Sequence, residues 1–328
     1  MTKLNITGLK ESSTQIDPSN NGTFEHIGSK GGTEQMYQGL MQRLPKDLTD
    51  QFNIICSRVR AIDPNKKNIL WLHDTWDDPE SQHLKDPKSL ARFEKLVFVS
   101  NHQQATYNMG LNVPYSKGIV LQNAVVPIEK HEKPKGTIRL IYHTTPHRGL
   151  ELLVPVAEFL AERGVDFHLD VFSSFKIYGW QQRDEPYKAL FDRCNRSPNI
   201  TYHGYQSNEV VREALKKAHI YAYPNIWPET SAISVIEAMS AGCSVICPNF
   251  QALPETCANF GVMYNFDEDN GRHANQFAGI LNMLIQGFWQ DHNQNTLKLQ
   301  KIYFDKYYNW DLRASQWQDF LSSMTNNS

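Results

Sequence analysis

The stretch from Tyr221 to Glu255, YAYPNIWPETSAISVIEAMSAGCSVICPNFQALPE, constrains this chain most. Tyr221 to Pro224 ends a strand, and Asn225 to Ser231 is a turn-rich loop. Val235, Ile236 and Met239 mark the apolar face of a helix over 234–241. Gly242 stops that helix, and Ser244 to Cys247 begins the next strand. A strand, a helix and a second strand in this order make a βαβ unit of a parallel sheet. Two carboxylates, Glu229 and Glu237, bracket the loop and helix with E-x7-E spacing. Glu229 sits at the mouth of a strand-to-helix loop, where open parallel sheets bind ligands. Glu237 lies on the helix beside the small residues Ala238 and Ala241, which let a backbone or a ligand approach. The spacing alone also suits an ordinary βαβ unit with a solvated glutamate at each end.

A chain of 328 residues is long for one domain and comfortable for two, and 40% hydrophobic residues are enough for packed cores. The net charge of −2 provides no basic field for nucleic acid. Five scattered cysteines (Cys56, Cys194, Cys243, Cys247 and Cys257) read as buried free thiols in a reducing, cytoplasmic compartment. The N-terminus has no apolar signal core, and no run approaches a membrane span.

Strand patterns recur along the chain. They fall at Leu4–Leu9, Phe52–Ser57, Ile69–Leu72, Leu96–Val99, Ile119–Leu121, Ile138–Tyr142, Phe167–Phe172, Ile200–His203 and Val262–Tyr264, with helical or loop segments between. Residues 10–30 are polar and read as a long loop. Gly31-Gly32 then opens a helix, as a plain turn or as an anion site at a helix N-terminus. His73-Asp74-Thr75-Trp76 follows a strand, either as a sugar-contact loop or as a surface acidic loop. Residues 128–137, charged and containing Pro and Gly, read as a domain linker. The loop His143-Thr144-Thr145-Pro146-His147-Arg148-Gly149 precedes an amphipathic helix, and Arg148 by itself reads as a solvated helix-start arginine. Residues 175–186 form an aromatic, charged insertion, a lid or a surface loop. Asp267-Glu268-Asp269 is formally D-x-D but reads as a solvated acidic turn rather than a metal site.

With Pro228, the Thr230-Ser231-Ala232 loop, the helix IEAMSAG and the trailing Leu-Pro-Glu, the 221–255 stretch resembles the donor-binding signature of retaining nucleotide-sugar glycosyltransferases. These are the family-4-like, group 1 enzymes of the GT-B fold. Asn123-Ala124-Val125-Val126 is similar to that family's inter-domain Asn-Gly-Val-Asp, with Ala124 and Val126 departing from it. The resemblance implies an α/β protein of two Rossmann-like, doubly wound parallel-sheet domains facing a central cleft. The acceptor-side domain would span 1–128, with a final helix within 309–328 packing back on it, and the donor-side domain 129–308.

The resemblance also implies roles. Glu229, Arg148 and His73 would serve catalysis. Gly31, Gly32, His143, Thr144, Arg148, Tyr205, Gln206, Thr230, Ser231, Ala232, Ile233 and Glu237 would bind the donor. Glu237 would hold the ribose hydroxyls, Tyr205 and Gln206 the base, and Arg148 with His143 the diphosphate. His143 stands where the family carries arginine. The reaction would transfer a sugar from a nucleoside-diphosphate sugar, with retention and without metal or other cofactor. The acceptor would be a glycan, a lipid-linked sugar or a small molecule, and peripheral contact with a membrane surface stays open. Two other readings remain. One is a nucleotide-sugar epimerase or hydrolase of the same fold using His73 and Asp74. The other is a non-catalytic sugar-nucleotide or glycan-binding protein. No G-x-G-x-x-G follows the first strand, which argues against a dinucleotide dehydrogenase.

Overall fold

The computed structural model describes residues 31–325. The strand expected at Leu4–Leu9 and the polar stretch 10–30 lie outside the described residues. The first sheet comprises β1 (Phe52–Cys56), β2 (Lys67–Leu72), β3 (Lys95–Phe98) and β4 (Gly118–Val120), all parallel and in sequence order. Successive side chains on a strand face opposite ways, so β2 feeds two cores. Ile69 and Trp71 join Met36 and Leu40 of the helix Gly32–Met41, together with Trp310, Trp317, Phe320, Leu321 and Met324 of the final helix Trp310–Thr325. Leu70 and Leu72 join Leu84, Phe93, Tyr107 and Leu111 on the other face. The end of the chain therefore completes the first domain, with the Trp71 and Trp317 rings edge to face at 4.8 Å.

The second sheet holds β5 (Ile138–Tyr142), β6 (Phe167–Val171), β7 (Ile200–Tyr202), β8 (Ile220–Ala222), β9 (Ser244–Pro248) and β10 (Val262–Tyr264). Its order is β10-β9-β8-β5-β6-β7, parallel throughout. The winding direction reverses between β5 and β8, and the loops leaving those two strands diverge to open a crevice.

The chain crosses between the domains twice, and the two crossings pair. Val125 N–H donates to Tyr308 C=O at 2.8 Å, and Val125 bridges Asn309 in parallel. The expected linker, 128–137, already lies on the second domain. Ile128 is buried there, its N–H donates to Ser240 Oγ at 3.0 Å, and Lys133 Nζ donates to Leu215 C=O at 2.8 Å. A further clamp joins the domains. The Glu255 carboxylate accepts the N–H groups of Asn101 and His102, each at 2.9 Å, capping the first-domain helix Asn101–Leu111. An anion there meets the positive end of the helix dipole.

A helix over Asp291–Tyr307 has no counterpart in the sequence reading. Gln300 and Phe304 are buried along it, and Leu297, Tyr303 and Tyr307 pack half-buried against the second-domain core on the same face. It is held as well by Gln300, whose amide donates to Cys243 C=O at 2.8 Å and Met239 C=O at 3.2 Å.

Candidate functional site

The loops after β5 and β8 form one wall of the site and touch backbone to backbone. Gly149, at φ 115°, stands so close to the Pro224 carbonyl that a Cβ would overlap it. Only glycine meets both demands, so the Arg148-Gly149 pair is held against the β8 loop. In that loop Asn225 makes a side-chain turn, accepting from Trp227 N–H at 3.0 Å. Ala232 then takes a left-handed conformation, φ 51°, and starts the helix Ile233–Ser240. The first intrahelical bond runs from Val235 N–H to Ala232 C=O at 3.0 Å, so the N–H groups of Ile233 and Ser234 precede it.

Arg148 Nη1 pairs directly with Glu229 Oε1, with side-chain exposures of 18% and 9%. Tyr223 Oη donates to the same carboxylate oxygen at 2.5 Å, and Arg148 Nε donates to Thr145 Oγ1 at 3.2 Å. Burial opposes the Arg148 charge, but the adjacent Glu229 more than offsets it and holds the guanidinium well above its ordinary pKa. Glu237 faces the same space. Burial pushes its carboxyl up, against the pull of Arg212, whose Nη1 lies 3.5 Å away, and of Asn208 at 3.5 Å.

These groups line a cavity of about 530 Å³ between the two domains. Of the residues singled out in the sequence, Gly32, His73, His143, Thr144, Arg148, Tyr205, Gln206, Glu229, Thr230, Ala232, Ile233 and Glu237 all line it. Gly31 and Ser231 do not. The Tyr178 ring lies 2.7 Å from where a Gly31 side chain would start, so that residue is covered. Ser231 is buried behind the loop, where its carbonyl accepts from Thr256 Oγ1 at 2.7 Å. Thr230 Oγ1 reaches across to His73 C=O at 2.8 Å and ties the two walls together.

Sequence reasoning missed Arg58, Asn208 and Arg212, which no motif marks. It left the insertion 175–186 undecided between lid and surface. The insertion folds as two short 3-10 turns, Phe175–Tyr178 and Gln181–Tyr187, pinned where Ser174 Oγ and Phe175 N–H both donate to Asp184. Tyr178, Trp180 and Arg183 of this segment line the cavity. Its density of aromatic residues was the available signal.

The histidines correct one expectation. His143 packs on Tyr221, ring centroids 4.6 Å apart, and burial lowers its pKa to about 3. It is a neutral polar group and supplies no cation in place of an arginine. Burial lowers His73 to about 3 as well, so His73 is a poor partner for acid–base chemistry with Asp74. The sign of the pH effect follows. In the unfolded chain both imidazoles protonate below their ordinary 6.5, but in the folded chain they stay neutral to about 3. Their contribution to stability is complete above pH 6.5 and is lost as pH falls towards 3. Asp74 opposes them: burial raises it to about 6 from 3.8, so its contribution is present at low pH and lost as pH rises through 6. Imidazole proton shifts of His73 and His143 should stay flat between about pH 8 and 4.5 while stability falls on the acid side. Either ring titrating near its ordinary value would contradict this burial.

The Asp267–Asp269 turn is spent on structure. Asp267 accepts two bonds from Arg272, at 2.7 and 2.8 Å, and Asp269 caps the helix Asn270–Gly287 by accepting from Arg272 N–H at 2.8 Å.

Comparisons with known proteins agree with this geometry. Residues 128–284 match the family model described as glycosyl transferases group 1. A segment of 113 residues is 28% identical to the O-antigen chain mannosyltransferase B of Escherichia coli, covering 34% of this chain and 28% of that protein. Among solved structures, a glycosyltransferase from Rickettsia africae superposes with a TM-score of 0.68 at 16% identity, over 92% of this chain and 84% of the other. Sucrose-phosphate synthase from Thermosynechococcus elongatus gives 0.65 at 14% identity, over 94% and 83%. Anabaena HepE in complex with UDP-glucose gives 0.63 at 13%, over 79% and 72%. Residues 128–284 of the second domain are therefore similar to the glycosyl transferases group 1 family, and the chain as a whole has the GT-B fold of glycosyltransferases.

Proposed function

We propose that the chain is a retaining, metal-independent glycosyltransferase acting on a nucleoside-diphosphate sugar, with a glycan, a lipid-linked sugar or a small molecule as acceptor. The observation that carries this reading is the convergence of Arg148, Glu229 and Glu237 at the β5/β8 reversal, on a cavity that the first domain closes. In transfer, the bond from the anomeric carbon to the diphosphate breaks with its electron pair leaving on phosphate, the acceptor hydroxyl oxygen bonds to that carbon, and the hydroxyl proton passes to the departing diphosphate. Arg148 meets that growing charge with a planar fork of donors, and the N–H groups of Ile233 and Ser234 add the positive end of a helix. Glu237 takes the ribose hydroxyls. Glu229, steadied by Tyr223, lies beside the reacting sugar. All five cysteines are buried free thiols, which fits a cytoplasmic setting. No described helix is long and apolar enough to cross a membrane.

The test is a thermal-shift screen against UDP-, GDP-, ADP-, CMP- and TDP-sugars, with Glu237→Ala as control. A true donor at a hundredfold excess over its Kd should stabilise the fold by about 3 kcal/mol. That gain should vanish in Glu237→Ala. Equal stabilisation of the variant would remove Glu237 from the ribose, and silence across the panel would remove the donor reading.

A further inference from the structure

Eleven buried side-chain nitrogen or oxygen atoms among the described residues lack a hydrogen-bond partner, and six of them belong to residues lining the inter-domain cavity. Three of the six sit on the second domain's wall, in His143, His147 and Ser173. The other three are on the first domain's wall: Arg58 Nη1, His73 Nε2 and Asn123 Oδ1. A buried polar atom left unpaired costs free energy, so such a concentration marks surface prepared for a ligand. Asn123 is only 3% exposed. Arg58 is aimed by local strain: Ser57, at φ 55°, turns the chain sharply at the end of β1. That turn is held by Ser57 N–H donating to Trp71 C=O at 2.8 Å and Ser57 Oγ accepting from His73 N–H at 2.9 Å.

The unpaired set on this wall is mixed. A guanidinium nitrogen can only donate and an amide oxygen can only accept, whereas an imidazole nitrogen does either according to tautomer. Hydroxyl groups, each donor and acceptor at once, satisfy all three. A bare phosphate or carboxylate would pair with Arg58 but leave the Asn123 oxygen unmatched, so the ligand must bring hydroxyls whether or not it also carries a charge. An anion would also meet the carboxylates of Glu34, Asp74 and Asp78, which line the same side of the cavity against one arginine.

With the first domain as the acceptor side of the proposed reaction, we infer that this wall selects a neutral sugar presenting free hydroxyls, anchored by Arg58 and Asn123, over a phosphorylated or otherwise anionic acceptor. The inference rests on the glycosyltransferase reading and deepens it: Arg58 becomes a specificity-determining residue.

The experiment is saturation-transfer NMR on the full chain in the presence of UDP or GDP. The probes are methyl α-glycosides of mannose, glucose and galactose, alongside the corresponding hexose 6-phosphates. At least one neutral glycoside should bind, and more tightly than its phosphate. Arg58→Met should weaken it about tenfold or more, the usual loss for a hydrogen bond to a charged group. Arg58→Lys, which keeps charge but not the fork, should restore only part of the affinity. Nucleotide signals, read in the same samples, report the donor side separately. Hexose phosphates binding more tightly would overturn the inference. So would glycoside binding indifferent to Arg58→Met, or nucleotide binding with no glycoside bound. Loss of nucleotide and glycoside signals alike in the wild type would instead bring down the glycosyltransferase reading itself.

Discussion

Arg148→Met should lower both stability and turnover, and a second substitution should separate the two losses. In the folded chain Arg148 is mostly buried against Glu229, which also accepts from Tyr223. Removing the guanidinium strands a buried carboxylate, a change that typically costs about 3–5 kcal/mol. It also removes the cation expected to meet the departing diphosphate, for a loss of roughly 100- to 1,000-fold in kcat by analogy with other preorganised charge-stabilising groups. Glu229→Gln in the Arg148→Met background removes the stranded charge while keeping an acceptor for Tyr223. It should recover much of the stability and none of the activity. Urea unfolding of the wild type, both single variants and the double variant gives the coupling between the two residues. Independent, additive effects would show that the pair does not act as a unit. Recovery of turnover in the double variant would show that Arg148 matters only through folding.

Removing residues 310–328 should unfold the first domain while sparing the second. Trp310, Trp317, Phe320, Leu321 and Met324 all sit in the core that contains Ile69, Trp71 and Val97. At about 1.5–3 kcal/mol for each buried apolar side chain, their loss amounts to roughly 7–15 kcal/mol. That matches or exceeds the total stability of a typical domain. The second domain has its own contiguous core, to which the final helix contributes nothing. Amide exchange should therefore lose protection across β1–β4 and keep it across β5–β10. Persistent protection of β2 and β3 would show that the final helix only decorates a domain that folds without it.

The parts of the site legible in the sequence are those encoded by local chemistry. Pro228, the Thr-Ser-Ala loop and the E-x7-E spacing mark a loop running into a helix, and the apolar period of Val235, Ile236 and Met239 places Glu237 one end of that helix away from Glu229. Gly149 was legible as the end of the Arg148 loop, but its left-handed turn pressed against the Pro224 carbonyl belongs to the tertiary structure. His143 was legible by position but not by state. Its neighbours in sequence are polar, and only the packing of Tyr221 and the start of the Ile233–Ser240 helix around it removes its charge. Gly31 shows a similar limit: the ring that covers it, Tyr178, arrives from the other domain.

Taken by itself, the sequence determined the alternation of strands and helices, the two-domain division and the two loops that carry Arg148 and Glu229. Those features follow from periodicity and turn residues, which act over a few residues. Tertiary structure alone decided the rest. It paired Arg148 with Glu229 across eighty residues of chain, seated the last helix in the first domain's core, and capped a first-domain helix with Glu255. It also brought Arg58, Asn123 and Asp74 to one wall of the cleft. Each depends on groups far apart in sequence meeting in a place without water, where an unpaired charge or polar atom is costly, and no local pattern records such a meeting.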